Sequence, residues 1–166
     1  MVKLLSDDLK IPADEIAIAS TGVIGREMRI DVISKVAYKS LSKLGDKPEN
    51  SLAAAKAIMT TDTFPKECAV EVTLTTGETV KIAGITKGSG MIAPNMGTML
   101  CFITTDCAIS SSALHTALLE AVKDTYNMVS VDGDTSTNDT VLLLANGMAG
   151  NVEIAEENDD YKAFCE

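Results

Sequence analysis

Polar and apolar positions alternate through residues 14–20, DEIAIAS, with the two-residue period of a half-buried strand, and the pattern stops at Thr21 and Gly22, a pair suited to a turn. From Glu27 to Leu44 the period lengthens. Ile30, Ile33, Val36, Ala37, Leu41 and Leu44 recur along one helical face, and Gly45 stands where a helix can close on a left-handed residue. Asn50 or Ser51 caps a second, alanine-rich helix running to about Met59. Val70, Val72 and Leu74 then share one strand face, TTGE turns the chain, and Val80 and Ile82 carry the alternation back, which predicts a hairpin. Met99 to Thr104 is β-branched and aromatic enough for a strand beginning at Thr98. Ser110 to Val122 reads as a helix with Leu114, Ala117, Leu118, Ala121 and Val122 on its apolar stripe, and Val141 to Ala145 as a buried strand. The closing NDDYKAFCE has an N-cap candidate, acids for a first turn, and Tyr161, Ala163 and Phe164 spaced for burial, so a helix is expected there, cut short. Together these elements predict a mixed α+β fold, sheets covered by helices, without internal repeats.

Composition narrows the function classes. With 166 residues, 46 % of them hydrophobic, the chain suits one domain or part of a larger one. Its 24 acidic residues against 14 basic ones give a net charge of -10, a field that repels phosphate backbones and anionic membranes, so nucleic acid and membrane are not expected partners. Residues 88–105 carry no charge, but Gly88, Gly90, Pro94, Asn95 and Gly97 would leave backbone groups unsatisfied in lipid. Asp7 and Asp8 interrupt the N-terminal leucines, leaving no signal-peptide core, and a cytoplasmic location is expected. Cys68, Cys101, Cys107 and Cys165 form no CxxC pair and His115 is the sole histidine, so neither a metal site nor a disulfide framework is expected, and no cofactor.

The stretch KGSGMIAPNMGTMLCFITTD, residues 87–106, holds the chemistry. A threonine at the start of a buried strand, preceded by a residue without a side chain, has the parts for an N-to-O acyl shift. Thr98 Oγ attacks the Gly97 carbonyl, and hydrolysis of the ester frees Thr98 as a new N-terminus. Glycine permits a strained scissile bond, and strain of about 1–3 kcal/mol assists the attack without carrying it. The freed α-amine has an ordinary pKa of about 7.7–8.0, against about 10.4 for lysine, so it can serve as a base beside its own hydroxyl. On residue types alone, the stretch is better described as a Gly-rich loop entering a core strand, since a Gly-Thr pair is a weak motif.

Four long stretches decide between these readings. KGSGMIAPNMGTMLCFITTD, with ASTGVIG at 19–25, AIMTTDTFPK at 57–66 and SVDGDTSTNDTVLLLANG at 130–147, resembles the ornithine acetyltransferase (bifunctional glutamate N-acetyltransferase) family of arginine biosynthesis, in that family's order. The resemblance implies an N-terminal-nucleophile-type, self-processing acetyltransferase fold of the aminopeptidase-like superfamily, here incomplete. The chain would be a single partial domain over 1–166, cut between Gly97 and Thr98 so that 1–97 ends an α chain and 98–166 begins a β chain. Thr98 would carry an acetyl group from N2-acetylornithine to L-glutamate in a ping-pong cycle, with acetyl-CoA a possible second donor. Family members more often have Ala before the Thr; Gly97 is a tolerated alternative.

By motif, Thr21 and Gly22 match the oxyanion-hole pair, and Thr60 and Lys87 match substrate-binding residues, an ammonium suiting the carboxylate both substrates share. Read alone, Thr21 and Gly22 are an ordinary turn, Thr60 a helix-end hydroxyl, and Lys87 a solvated loop lysine. The DGDTSTND run is a polar turn cluster, architecture near the site. His115 has no catalytic assignment, and Met91, Met96 and Met99 fill core gaps. The family's later acidic substrate residue, in a Gly-Glu-Gly-Ala-Thr context, has no counterpart here. A hetero- or homo-oligomer with the rest of the family chain is therefore expected, the alternatives being a non-catalytic fragment or assembly subunit and a related self-processing aminopeptidase.

Overall fold

The computed structural model describes residues 1–23, 25–90 and 99–166, with Tyr38 described by its backbone alone. Two compact units emerge, Met1–Asn50 and Ser51–Glu166. In the first, helix α1 (Val2–Leu9), which the hydrophobic pattern does not predict, ends on Lys10 at φ 59, its N–H bonded back to Ser6. Helix α2 spans Ile30–Leu41.

Three expectations for this unit are corrected. The alternating segment 14–20 is a 3-10 turn (Ala13–Glu15) followed by extended but unpaired chain. Alternation favours extended backbone, but a strand exists only where a neighbour completes its ladder, and none does so here among the described residues. Thr21 and Gly22 lie in irregular chain; beyond them Arg26 N–H bonds Val23 O at 3.1 Å and Gly25 takes φ 80, a conformation glycine adopts without steric cost. Helix α2 stops at Leu41, so Gly45 is no C′ residue. What Gly45 provides is room: a Cβ there would lie 2.7 Å from Asn50 Oδ1, which accepts from Lys47 N–H while Asn50 Nδ2 donates to Lys43 O.

Helix α3 spans Pro48–Ala57 and starts on proline, whose missing N–H falls among the helix's unpaired first donors. Asn50 is thus its third residue rather than its cap. Beyond it lie the hairpin strands β1 (Lys66–Thr73) and β2 (Thr79–Lys87), then β3 (Leu100–Thr105), helix α4 (Ser111–Lys123), strand β4 (Thr140–Ala145) and helix α5 (Asp159–Cys165). The sheet has order β1-β2-β3-β4, antiparallel except for the β3–β4 pair, which is parallel. This is a mixed α+β arrangement, with hairpin, α4, β4 and α5 where the sequence pattern places them. Ser110 and Asn158 cap α4 and α5, accepting from Ala113 N–H at 3.3 Å and Tyr161 N–H at 2.9 Å.

The core lies against one face of the sheet. Ala113 and Ala117 of α4 and Tyr161 and Phe164 of α5 close over Leu74, Val80, Cys107 and Ile154, with Val72 and Ile82 packed against them. At that end of the hairpin Asp160 of α5 receives the turn. Its Oδ1 accepts from Thr75 N–H at 2.7 Å and Thr75 Oγ1 at 2.5 Å, and its Oδ2 from Thr76 Oγ1 at 3.1 Å. The Thr75 hydroxyl, with the backbone N–H groups of the turn and the Thr76 hydroxyl, holds its carboxyl below the ordinary value. All four cysteines are free, Cys101 and Cys107 buried and Cys68 and Cys165 exposed. No helix among the described residues is long and apolar enough to cross a membrane.

Candidate active site

At the other end of the hairpin the sheet carries charge inside it. Lys87 is the last residue of β2, paired with Leu100 of β3, and it shares its strand face with Ile85 rather than with Val80 and Ile82. It is only 2 % exposed, which overturns the expectation of a solvated loop lysine. Its Nζ donates to Thr60 Oγ1 at 3.3 Å, so the two substrate-binding candidates, 27 positions apart, meet. Thr60 itself is exposed, in the bend after α3, and gives the buried ammonium its outward-facing partner.

One carboxylate assembles this pair. Asp62 has a fully buried side chain, and its Oδ1 accepts from Lys66 Nζ at 2.5 Å and from Gly88 N–H at 2.8 Å. Its Oδ2 accepts from Thr60 N–H at 3.3 Å. Asp62 therefore grips the backbone at Thr60 and the backbone just after Lys87 at once. A second clasp joins the same segments, Thr61 Oγ1 to Ser89 Oγ at 2.7 Å. Burial pushes the Asp62 pKa up, but the Lys66 ammonium and the two backbone donors outweigh it and hold the carboxyl at about 2. Burial likewise lowers the Lys87 pKa, opposed by the negative charges of Asp62 and Asp139.

Asp139 reaches the cluster from the residue before β4. Its Oδ1 accepts from Met99 N–H at 2.7 Å, and Thr140 N–H donates to Met99 O at 3.0 Å. The parallel pairing of β3 with β4 makes this possible, because both strands start at the same end of the sheet. Burial raises the Asp139 pKa, against the Met99 N–H, Ser136 and Lys87. The DGDTSTND run thus reaches, through Asp139, the residue that follows Thr98.

Gly97 and Thr98, like Met91 and Met96, lie outside the described residues. Met99 is described and buried, in keeping with a core role. Thr21 and Gly22 belong to the first unit, in irregular chain, Thr21 half-buried and Gly22 exposed. A Cβ at Gly22 would meet nothing within 4 Å, so packing does not require glycine there. His115 is exposed on α4, and no cluster of three or more metal-ligating side chains occurs among the described residues. Sequence reasoning missed Asp62, Lys66 and Asp139. The first two stand four residues apart in AIMTTDTFPK, a spacing that signals an ion pair only once the chain is known to bend there.

The ArgJ family model matches residues 1–166, the whole chain. The chain belongs to the ArgJ family. Among ArgJ relatives it is 48 % identical over all 166 of its residues to the "Arginine biosynthesis bifunctional protein ArgJ" of Symbiobacterium thermophilum, covering 40 % of that protein. It is 53 % identical over 152 residues, 90 % of this chain and 37 % of the relative, to the "Glutamate N-acetyltransferase" of Methanocaldococcus jannaschii. It is 53 % identical over 156 residues, 93 % of this chain and 33 % of the relative, to the mitochondrial ArgJ protein of Podospora anserina. The chain therefore spans between a third and two fifths of the length of these ArgJ relatives.

Proposed function

We propose that this chain carries the nucleophile-bearing part of a glutamate N-acetyltransferase, which moves an acetyl group from N2-acetylornithine to L-glutamate and yields ornithine and N-acetylglutamate. Thr98 Oγ first attacks the Gly97 carbonyl, the peptide becomes an ester, and water releases the Gly97 carboxylate and the Thr98 α-amine. In the first half-reaction the Thr98 hydroxyl attacks the acetyl carbonyl, its proton passes through the α-amine to the departing ornithine nitrogen, and acetyl-Thr98 remains. Glutamate's amine then takes the acetyl group. Thr21 and Gly22 act as the oxyanion donors, and Lys87 with Thr60 receives the carboxylate common to both substrates. The fold is that of a self-processing, N-terminal-nucleophile-type enzyme acting in the cytoplasm, completed by association with the remainder of the family's length.

The observation that carries this reading is Lys87, an ammonium buried to 2 % exposure yet hydrogen-bonded to an exposed threonine, at the end of the strand paired with β3. Burying a charge costs several kcal/mol unless partners repay it, and a site for an anionic substrate explains why the cost is retained. Intact-mass measurement tests the processing step. Pieces 1–97 and 98–166 are expected, absent in Thr98→Ala, and acetyl donor is expected to add one acetyl group to the second piece. A single uncut 17.5 kDa species with no acetyl uptake would overturn it. The partial coverage of the relatives favours one other reading, a non-catalytic fragment or assembly subunit, which that same uncut species would support.

A further inference from the structure

Two lysines share the Asp62 carboxylate, and they are held in different ways. Lys66 bonds it directly, Nζ to Oδ1 at 2.5 Å, with its side chain 29 % exposed and its ammonium 4.9 Å from the centre of the Phe64 ring. Lys87 meets Asp62 through charge and gives its hydrogen bond to Thr60 Oγ1. The same carboxylate then takes the backbone at both partners of that bond, Thr60 N–H at 3.3 Å and Gly88 N–H, next to Lys87, at 2.8 Å. A hydroxyl has one proton and two lone pairs, so Thr60 Oγ1 can accept from the ammonium and still donate its own O–H. Thr60 is exposed, and the ammonium behind it polarises that O–H into a stronger donor.

We propose that Asp62 is a positioning residue for substrate binding: by holding the backbone at Thr60 and beside Lys87, it keeps the ammonium against the threonine hydroxyl, whose O–H then meets the incoming carboxylate. This rests on the reading of Thr60 and Lys87 as the carboxylate-binding pair. The charge of Asp62 serves the same end. Burial lowers the Lys87 pKa, and the negative charges of Asp62 and Asp139 oppose it, keeping the ammonium protonated. Among the described residues, the charged groups facing Lys87 are Asp62, with Lys66 behind it at the start of β1, and Asp139 from the residue before β4, while β3 sets uncharged Leu100 across from it. Removing the Asp62 charge therefore weakens the hold on the Lys87 proton, and removing Lys66, which competes for the same carboxylate, strengthens it. The Thr61–Ser89 clasp fastens the same two segments without charge, so it separates fastening from positioning.

The test follows Lys87 itself and L-glutamate as the carboxylate probe, in the purified full chain. A carbon-13 label at lysine Cε reports each ammonium's titration by NMR, Lys87→Met identifying the signal, and calorimetry reports glutamate binding. Asp62→Asn should move the Lys87 titration down by about one pH unit and weaken glutamate binding ~30-fold at neutral pH, whereas Lys66→Met should move the titration up by about half a unit. Thr61→Val, which breaks the clasp to Ser89, should leave the titration in place and change glutamate binding less than ~3-fold. A D62N protein with either the wild-type titration or the wild-type affinity overturns the proposal. So does a T61V protein weakened as much as D62N, because fastening alone would then be the cause. Should D62N fail to fold, K66M decides: an upward shift supports the proposal, and an unchanged titration overturns it. A wild-type chain that binds no glutamate defeats the underlying carboxylate reading and the proposal with it, an outcome distinct from a wild-type chain that binds and a D62N protein that binds equally well.

Discussion

The two ends of the β1–β2 hairpin each bury a carboxylate that gathers backbone and side-chain donors, and they differ in what is left over. At the turn end, Asp160 is satisfied by Thr75 and Thr76 and, among the described residues, has no buried cation against it. At the open end, Asp62 is equally well bonded, yet near it stand a nearly inaccessible Lys87 and a second carboxylate, Asp139, whose Oδ1 accepts from Met99 N–H. A carboxylate met by turn donors locks structure; a buried ammonium hydrogen-bonded to an exposed threonine is the feature that the proposed function uses to meet an anionic substrate.

This contrast can be broken by exchanging the consequences of mutation between the ends. Lys87→Met is expected to lower kcat/KM for the acetyl donor by ~100-fold or more per folded molecule, because it removes the ammonium proposed to receive the substrate carboxylate, with some loss of stability beside it as Asp62 and Asp139 lose a buried counter-ion. Steady-state kinetics beside calorimetry checks both halves, and a large stability loss with intact catalysis would erase the distinction. Asp160→Ala should do the reverse, leaving several turn donors unpaired. A drop of roughly 5 °C or more in melting temperature is expected, with unchanged turnover per folded molecule.

Acid titration sharpens the comparison further. Asp62 is ionised in the folded protein down to about pH 2, whereas its ordinary pKa is 3.8, so its contribution is complete above about pH 4 and is lost as pH falls through about 2. That shift corresponds to about 2 kcal/mol, and Asp62→Asn should flatten the stability curve by this amount between pH 4 and 2. Urea midpoints measured across that window provide the check, and an unchanged slope would count against a carboxylate gripping both Thr60 and Gly88. The smallest effect belongs to the structural end: Asn158→Ala removes the cap of α5 and should cost about 1 kcal/mol in urea unfolding, with no change in acetyl transfer.

Much of the second unit is legible from periodicity because its apolar positions find partners inside the unit. Val72, Val80 and Ile82 alternate and meet α4 and α5. The first unit has patterning of similar strength, but Ile18, Ile30, Val32 and Val36 are exposed, and DEIAIAS forms no ladder. Local pattern specifies backbone preference, whereas a strand also needs a neighbour, which sequence spacing does not reveal. The resemblance supplied Thr60 and Lys87, and the structure brings them together. Composition could not, since an isolated lysine is ordinarily solvated. Asp62 and Asp139 were harder still, because their roles arise from contacts to residues 26 and 40 positions away.

The position of β3 determines what a nick before it would do. Six register pairs, Ile82↔Thr105 through Lys87↔Leu100, fasten it to β2 on one side, and β4 holds it along its whole length on the other. Opening the chain between 97 and 98 would therefore yield two polypeptides sharing one sheet, β1 and β2 from one and β3 and β4 from the other. The fresh terminus would stand two residues before an inner strand that is paired along both edges.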